Sequence, residues 1–229
     1  IATYVAAGTL DLGITGRDML ADSRVAADEI LALGFAPSTF RLAGPVGKFE
    51  HPGDLHGARV ATSYTEVLST YFEAIGVAAT VVSLDGAVEN AVRLGVADAI
   101  ADVVDTGTTL RAAGLETIGE PILVSEALLI RRSGAPDSAD ADVFIRRLQG
   151  VLTARTYVLV DYDIPLDRVE EACALTPGLE SPTVSPLREQ GWAAVRAVVP
   201  KNQAHRIMDR VADIGGRGIL VTAISACRL

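Results

Sequence analysis

Two carboxylates and a Thr/Gly-rich turn fall together in the run Ala97-Asp-Ala-Ile-Ala-Asp-Val-Val-Asp-Thr-Gly-Thr-Thr-Leu110. An apolar strand ends at Asp102 and Asp105, and Thr106, Gly107, Thr108 and Thr109 lead into a helix expected over Leu110 to Ala113. The start of a helix leaves amide hydrogens unpaired and carries positive dipole character, so it holds phosphate oxygens without a lysine. Gly107 lets the backbone approach closely and take a positive φ, and threonine hydroxyls add donors. Carboxylates at such a turn repel phosphate unless they hold ribose hydroxyls or a magnesium ion. A phosphorylated sugar therefore explains the set better than phosphate alone. The plainer alternative is an ordinary strand-to-helix connection with a threonine at the N-cap.

The 229 residues around this turn suffice for one large domain or two to three small ones, with a substantial core. A net charge of −9, with only Lys48 and Lys201 as lysines, argues against a general nucleic-acid surface. No apolar run approaches the roughly 20 residues that cross a bilayer, and no signal peptide is visible, so a cytoplasmic, non-membrane protein is expected. Cys173 and Cys227 are too few for a disulfide framework, and His51, His56 and His205 show no zinc spacing. Both thiols are expected buried and free.

Elements that position the turn follow from periodicity. Residues 1 to 37 read as a helix to Ala7, a Gly turn, a strand Leu10 to Ile14, Thr15-Gly-Arg-Asp18, and a helical stretch to about Leu33. A new unit then carries strands at Phe40 to Leu42, Arg59 to Tyr64, Ala79 to Leu84 and Ala99 to Val104. Helices are expected at Thr65 to Ile75, ended by Gly76, and at Ala87 to Leu94. Strands alternating with helices predict right-handed crossovers and a parallel sheet. Thr117 to Arg132 reads as extended, returning the chain to the first unit, and a helix to about Arg155 follows, with Phe144, Ile145, Leu148, Val151 and Leu152 on one face. Two lobes joined by such crossings leave a cleft, and ligands of open α/β sheets bind beyond the carboxyl ends of the strands, where Asp18 and Asp102 to Thr109 lie.

The texture changes at Thr156. Tyr157 to Tyr162, Trp192 to Val199 and Gly218 to Ser225 read as strands. Leu166 to Ala174 and a segment capped by Asn202 read as helices, the latter with Ala204, Ile207, Met208, Val211 and Ile214 on its apolar face. If the Pro-punctuated stretch 176 to 187 adds a strand, the order βαββαβ is ferredoxin-like, a shape used for regulatory ligand modules and oligomer interfaces. A rigid loop between domains is the alternative for that stretch.

Five segments in order, Leu10-Asp-Leu-Gly-Ile-Thr-Gly-Arg-Asp18, Arg59-Val-Ala-Thr-Ser-Tyr64, Leu84-Asp-Gly-Ala-Val-Glu89, Asp102-Val-Val-Asp-Thr-Gly-Thr-Thr-Leu110 and Thr176-Pro-Gly-Leu-Glu-Ser-Pro-Thr183, resemble ATP phosphoribosyltransferase in its long form. The resemblance covers nearly the whole chain. It implies an α/β, two-lobed, type II periplasmic-binding-protein-like catalytic region followed by a ferredoxin-like domain. Lobe I would take residues 1–37 and 129–155, lobe II residues 38–128, and a histidine-binding regulatory domain residues 156–229. The implied reaction joins N1 of the ATP adenine to the anomeric carbon of phosphoribosyl pyrophosphate, with Mg2+ present and pyrophosphate leaving, as the first step of histidine biosynthesis.

By the same resemblance Asp102, Asp105, Thr106, Gly107, Thr108, Thr109 and Leu110 bind phosphoribosyl pyrophosphate, with Asp102 on the ribose hydroxyls. Asp18 and Glu89 hold ribose hydroxyls, adenine amine or magnesium-bound water, or else only serve helix dipoles. Tyr64 contacts adenine or ribose, or simply packs. Arg17 reads as a solvated arginine, with a phosphate contact as the alternative. The metal ligands stay open. Asp163, Leu179, Ser181, Thr183 and Gly218 would line the site for histidine as inhibitor, Asp163 pairing with its amino group, in a homo-oligomer between dimer and hexamer. Family members open with a strand and a Lys/Arg-bearing turn that has no counterpart here, so an N-terminal piece is expected to be absent from this sequence. The rival reading is a non-catalytic two-lobed small-molecule binding protein with an amino-acid-sensing tail.

Overall fold

In the computed structural model, residues 1–104 and 107–228 are described, and they fall into two units, Ile1–Pro136 and Asp137–Leu229. The first unit begins with α1 (Ala2–Ala6), β1 (Leu12–Gly16), α2 (Arg17–Ser23) and β2 (Ala27–Ala32). It continues through β3 (Ser38–Pro45), β4 (Arg59–Thr62), α3 (Thr65–Ile75), β5 (Thr80–Ser83) and β6 (Ala99–Val104). It closes with α4 (Thr108–Ala112), β7 (Leu115–Ser125) and β8 (Ala127–Arg132).

These strands make two sheets, β1-β8-β2 and β5-β4-β6-β3-β7. In the larger sheet β4, β5 and β6 are parallel, whereas β3 runs antiparallel to both β6 and β7. The parallel sheet expected from the alternation is thus mixed, because β3 and β7 belong to the segments by which the chain enters and leaves this sheet rather than to βαβ crossovers. This is the lobe layout of a type II periplasmic-binding-protein-like fold. One face of the larger sheet buries Phe40, Leu42, Val60 and Ala101 against Leu68 and Phe72 of α3. The other packs Ala43, Ala61 and Ile100 against Val88, Leu110 and Leu115.

Two helical expectations fail. The helix after Asp18 stops at Ser23, where Arg24 takes a left-handed φ of 48°, and residues as far as Ala32 instead pair with β8. The segment Ala87 to Leu94 forms only a 3-10 turn at Val88–Asn90, entered through Ala87 at φ 50°. By contrast α3 spans the expected residues and ends at Gly76 with φ 68°, a conformation that suits glycine.

The second unit contains α5 (Ala139–Thr156), β9 (Tyr157–Pro165), α6 (Val169–Leu175), β10 (Thr183–Pro186), β11 (Trp192–Pro200), α7 (Ala204–Asp213) and β12 (Arg217–Ala223). The sheet order β10-β11-β9-β12, antiparallel throughout, completes the ferredoxin-like βαββαβ pattern. Val158, Val160, Tyr162 and Ile164 of β9 alternate into a core shared with Ala172 of α6 and with Ala204, Ile207 and Val211 of α7. The residue before α7 is Gln203, with no side-chain cap, and Asn202 lies in a preceding 3-10 turn. Helix α5 groups by its contacts with this unit, whereas the sequence division placed it in lobe I. Its expected apolar face is also incomplete, since Phe144 and Val151 are exposed and the buried residues are Ala141 and Ala154.

Candidate active site and regulatory pocket

Strand β6 carries Asp102 toward its carboxyl end, and a cavity of about 350 Å³ opens there between Glu89, Asp102, Val103, Val104 and the turn 107–110. The structure thus brings Asp102, Glu89, Gly107, Thr108, Thr109 and Leu110 together. Asp105 and Thr106, expected in the same loop, lie outside the described residues. Gly107 sits before the first turn of α4 with φ 70° and ψ 10°, so the glycine is required by backbone conformation. A Cβ there would meet its nearest side chain at an ordinary 3.6 Å. Leu110 is buried and anchors the turn in the apolar cluster, leaving Thr108 and Thr109 exposed. The helix starts at Thr108, two residues before the expected Leu110.

The Asp102 carboxylate accepts a hydrogen bond from the Val103 amide at 2.8 Å. Burial raises its pKa; the Val103 amide opposes the shift and the nearby Glu89 charge adds to it. A carboxylate whose charge is destabilised by burial gains from ribose hydroxyls or a cation that would satisfy it.

Asp18 does not line this cavity. It is 6% exposed, at the first turn of α2, where its Oδ1 accepts from the Ser125 hydroxyl at 3.0 Å and the Met19 amide at 2.9 Å. With Ser125, Pro37 and Ser38 it borders a second cavity of about 380 Å³, beside the segments that join the two sheets. Tyr64 links the two regions. Its pKa is pushed up to about 12, first by burial and then by the charges of Asp18 and Asp102, so its hydroxyl is a neutral donor at working pH. The ring packs 5.3 Å from that of Phe40, as the packing reading expects. Arg17 pairs with Glu29 at 2.9 Å and Glu126 at 3.4 Å, which occupies the guanidinium internally.

In the second unit, Asp163 faces Arg217 across the β9–β12 ladder, and a Cβ at Gly218 would stand 3.6 Å from the Asp163 carboxylate. Gly218 has φ 62°. These two expected residues are therefore adjacent. Leu179 and Ser181 sit in the loop between α6 and β10, closed by Gly178 at φ 70° against the Ser181 backbone. Thr183 opens β10, two ladder steps from the strand of Asp163.

Residues absent from the sequence expectation shape both regions. Ser125 fixes Asp18, and Asp22 accepts from the amides of Glu66 and Val67 at 2.9 and 3.1 Å. The buried Tyr162 hydroxyl bonds Thr176 at 2.6 Å, holding the start of the loop that carries Leu179. Sequence offered only the one-turn spacing of Asp18 and Asp22 as a hint. Among the described residues, no group of three or more His, Cys, Asp or Glu gathers as a metal cage.

Two family models match in chain order, ATP phosphoribosyltransferase over residues 1–150 and HisG, C-terminal domain, over residues 154–226. The ATP phosphoribosyltransferase of Paenarthrobacter aurescens is 63% identical over 234 residues, covering 100% of this chain and 82% of its own. That of Streptomyces coelicolor is 60% identical over 233 residues, with the same 100% and 82% coverage. Among solved structures, the ATP phosphoribosyl transferase (HisG:HisZ) complex from Thermotoga maritima aligns with a TM-score of 0.60 at 28% identity, covering 67% of this chain and 75% of that one. An acid and a positive-φ glycine at one strand end, the ferredoxin-like second unit and identity above half over the whole of this chain all agree: the chain belongs to the ATP phosphoribosyltransferase family, in the form that carries its own C-terminal domain.

Proposed function

We propose that the cavity between Glu89, Asp102 and the turn 107–110 seats phosphoribosyl pyrophosphate for transfer of its phosphoribosyl group to N1 of the ATP adenine. The C1–O bond to pyrophosphate breaks as the N1–C1 bond forms, giving phosphoribosyl-ATP and pyrophosphate. The adenine nitrogen is the nucleophile, so no covalent enzyme intermediate is needed and the side chains supply alignment and charge stabilisation. Asp102 accepts from the ribose hydroxyls. Amides and hydroxyls of Thr108 and Thr109 hold the 5-phosphate, and Asp105 and Thr106, expected to bind the same substrate, lie outside the described residues. Tyr64 donates from the side of Asp18, which with Ser125 faces the ATP moiety. The lobes that flank the cleft comprise residues 1–37 with the strand returning after residue 128, and residues 38–128.

The donor set suits Mg2+, which takes one or two carboxylates and completes its shell with water and substrate phosphate oxygens. Glu89 and Asp102, both lining the cavity, would be those two carboxylates. Held there, the ion would supply neutralisation of the charge on the departing pyrophosphate.

The observation carrying this reading is the convergence of Asp102, Glu89 and the left-handed Gly107 on one cavity in a chain of this family. Family membership also favours it over a non-catalytic binding protein. The ferredoxin-like unit would bind histidine as feedback inhibitor, with Asp163 on its amino group and Gly218 leaving room for the imidazole. Leu179, Ser181 and Thr183 complete that pocket from the α6–β10 side, in a cytoplasmic homo-oligomer between dimer and hexamer. The test is absorbance-monitored formation of phosphoribosyl-ATP from both substrates with Mg2+. Turnover that histidine suppresses supports the reading, and binding of neither substrate contradicts it.

A further inference from the structure

A substrate with several phosphate charges needs cations as well as hydrogen-bond donors, yet the cavity lining has two carboxylates and no lysine or arginine among the described residues. Arg41 stands directly opposite Asp102 in the β3–β6 ladder. Paired residues of a ladder point to the same face, with Cβ atoms about 5 Å apart. The neighbours Phe40 and Leu42 pack on the α3 face, so Arg41 and Asp102 project to the other face, the side of Val88 and Leu110.

There the Arg41 side chain is incompletely satisfied. One terminal nitrogen donates to the Gly119 carbonyl at 3.1 Å, where the register of β7 shifts between the partners of Phe40 and Leu42. Its Nε is buried and has no hydrogen-bond partner among the described residues. A buried charged donor without an acceptor is costly, and native structures retain few of them. An oxyanion reaching the Nε edge would relieve that cost, and the guanidinium would supply the positive charge that the cavity lining lacks.

We infer that Arg41 is a substrate-contacting residue of this site, its guanidinium taking pyrophosphate oxygens of phosphoribosyl pyrophosphate through the edge formed by Nε and a terminal nitrogen. The inference rests on the cavity reading above. A planar guanidinium engages two phosphate oxygens at once, which an ammonium does not. As the C1–O bond breaks, negative charge builds on the leaving pyrophosphate, and Arg41 stabilises it while Asp102 remains on the ribose.

The test titrates inorganic pyrophosphate with Mg2+, and separately ATP, into the unmodified chain, Arg41→Met and Arg41→Lys. In parallel, the Nε–H resonance of Arg41 is followed in arginine-labelled unmodified protein. Expected results are a loss of about tenfold or more in pyrophosphate affinity for Arg41→Met and partial recovery in Arg41→Lys. ATP affinity should stay within about twofold, and the Nε–H resonance should move on pyrophosphate addition. Equal pyrophosphate affinity in folded Arg41→Met overturns the inference while leaving the cavity reading intact. Should Arg41→Met fail to fold, the resonance decides, and an unmoved signal at saturating pyrophosphate overturns it. An unmodified chain that takes up no pyrophosphate overturns the cavity reading and this inference together.

Discussion

The Asp22 carboxylate accepts a hydrogen bond from the amide of Glu66 at 2.9 Å, so a residue of α2 caps α3. The helix's own preceding residue, Tyr64, supplies no side-chain cap, and Asp22 also takes the amide of Val67 at 3.1 Å. The contact ties the helix that bears Asp18 to the helix that follows Tyr64. Beside it, Arg24 pairs with Glu66 at 2.8 Å, but that pair is exposed and contributes little.

Loss of a capping acceptor costs about 1 kcal/mol. Asp22→Ala should therefore lower unfolding stability by about that amount, and Asp22→Asn should recover most of it, because an amide oxygen accepts the same two bonds. Urea unfolding of the two variants measures this. Equal losses in both would attribute the effect to charge rather than to the cap.

Tyr64 makes a spectroscopic prediction. Its folded pKa of about 12 exceeds the usual 10, so the folded state holds the phenolic proton more tightly than the unfolded chain. The resulting stability is complete below pH 10 and is lost as pH rises toward 12. Titration of phenolate absorbance should show a late component that Tyr64→Phe removes. Burial also raises Tyr71 and Tyr162, so only the difference between parent and variant is diagnostic.

At Gly107, φ of 70° rather than space sets the requirement. Gly107→Val forces a β-branched residue into a region that costs roughly 1–2 kcal/mol for an L-residue. Affinity for phosphoribosyl pyrophosphate should fall about tenfold or more, while histidine binding should stay unchanged because its proposed site lies in the other unit. Calorimetric titration of both ligands separates a local effect from general unfolding, which would diminish both.

The proposed histidine site can be tested by crowding it. Gly218→Val places a branched side chain beside the Asp163 carboxylate, where even a Cβ stands at 3.6 Å. Asp163→Ala removes the partner proposed for the amino group, a charged contact worth about 1.5–3 kcal/mol, or roughly ten- to a hundredfold in affinity. Both variants should weaken histidine binding and leave that of phosphoribosyl pyrophosphate alone. Undiminished histidine binding in both would move the regulatory site elsewhere.

Much of the architecture was legible because its signals are local. Gly76 ended α3 where expected, β9 and β11 alternate between buried and open faces, and Thr183–Pro186 supplied the fourth strand of the ferredoxin-like order. What escaped depends on distant partners. Residues Ala27–Ala32 become a strand through pairing with β8, and β3 and β7 are antiparallel because of where the chain crosses between sheets. The Asp102 turn was readable from residue types alone. Ser125, Asp22 and Arg41 were not, since their partners lie 107, 44 and 61 positions away in sequence. The separation of Asp18 from the Asp102 cavity was likewise invisible until the strands were placed.

Asp102 affects stability as well as the proposed contact with the ribose. Its raised pKa means that folding favours the protonated form; that contribution is present below the unfolded pKa and is lost as pH rises through the folded one. Asp102→Asn should thus be more stable than the parent at neutral pH, with the advantage shrinking below about pH 4. The decisive measurement is calorimetric titration of phosphoribosyl pyrophosphate with Mg2+ into the parent and Asp102→Asn. The expected result is saturable binding to the parent and a loss of about ten- to a hundredfold in a variant that is at least as stable. Equal affinity in the two proteins would contradict the assignment of this cavity.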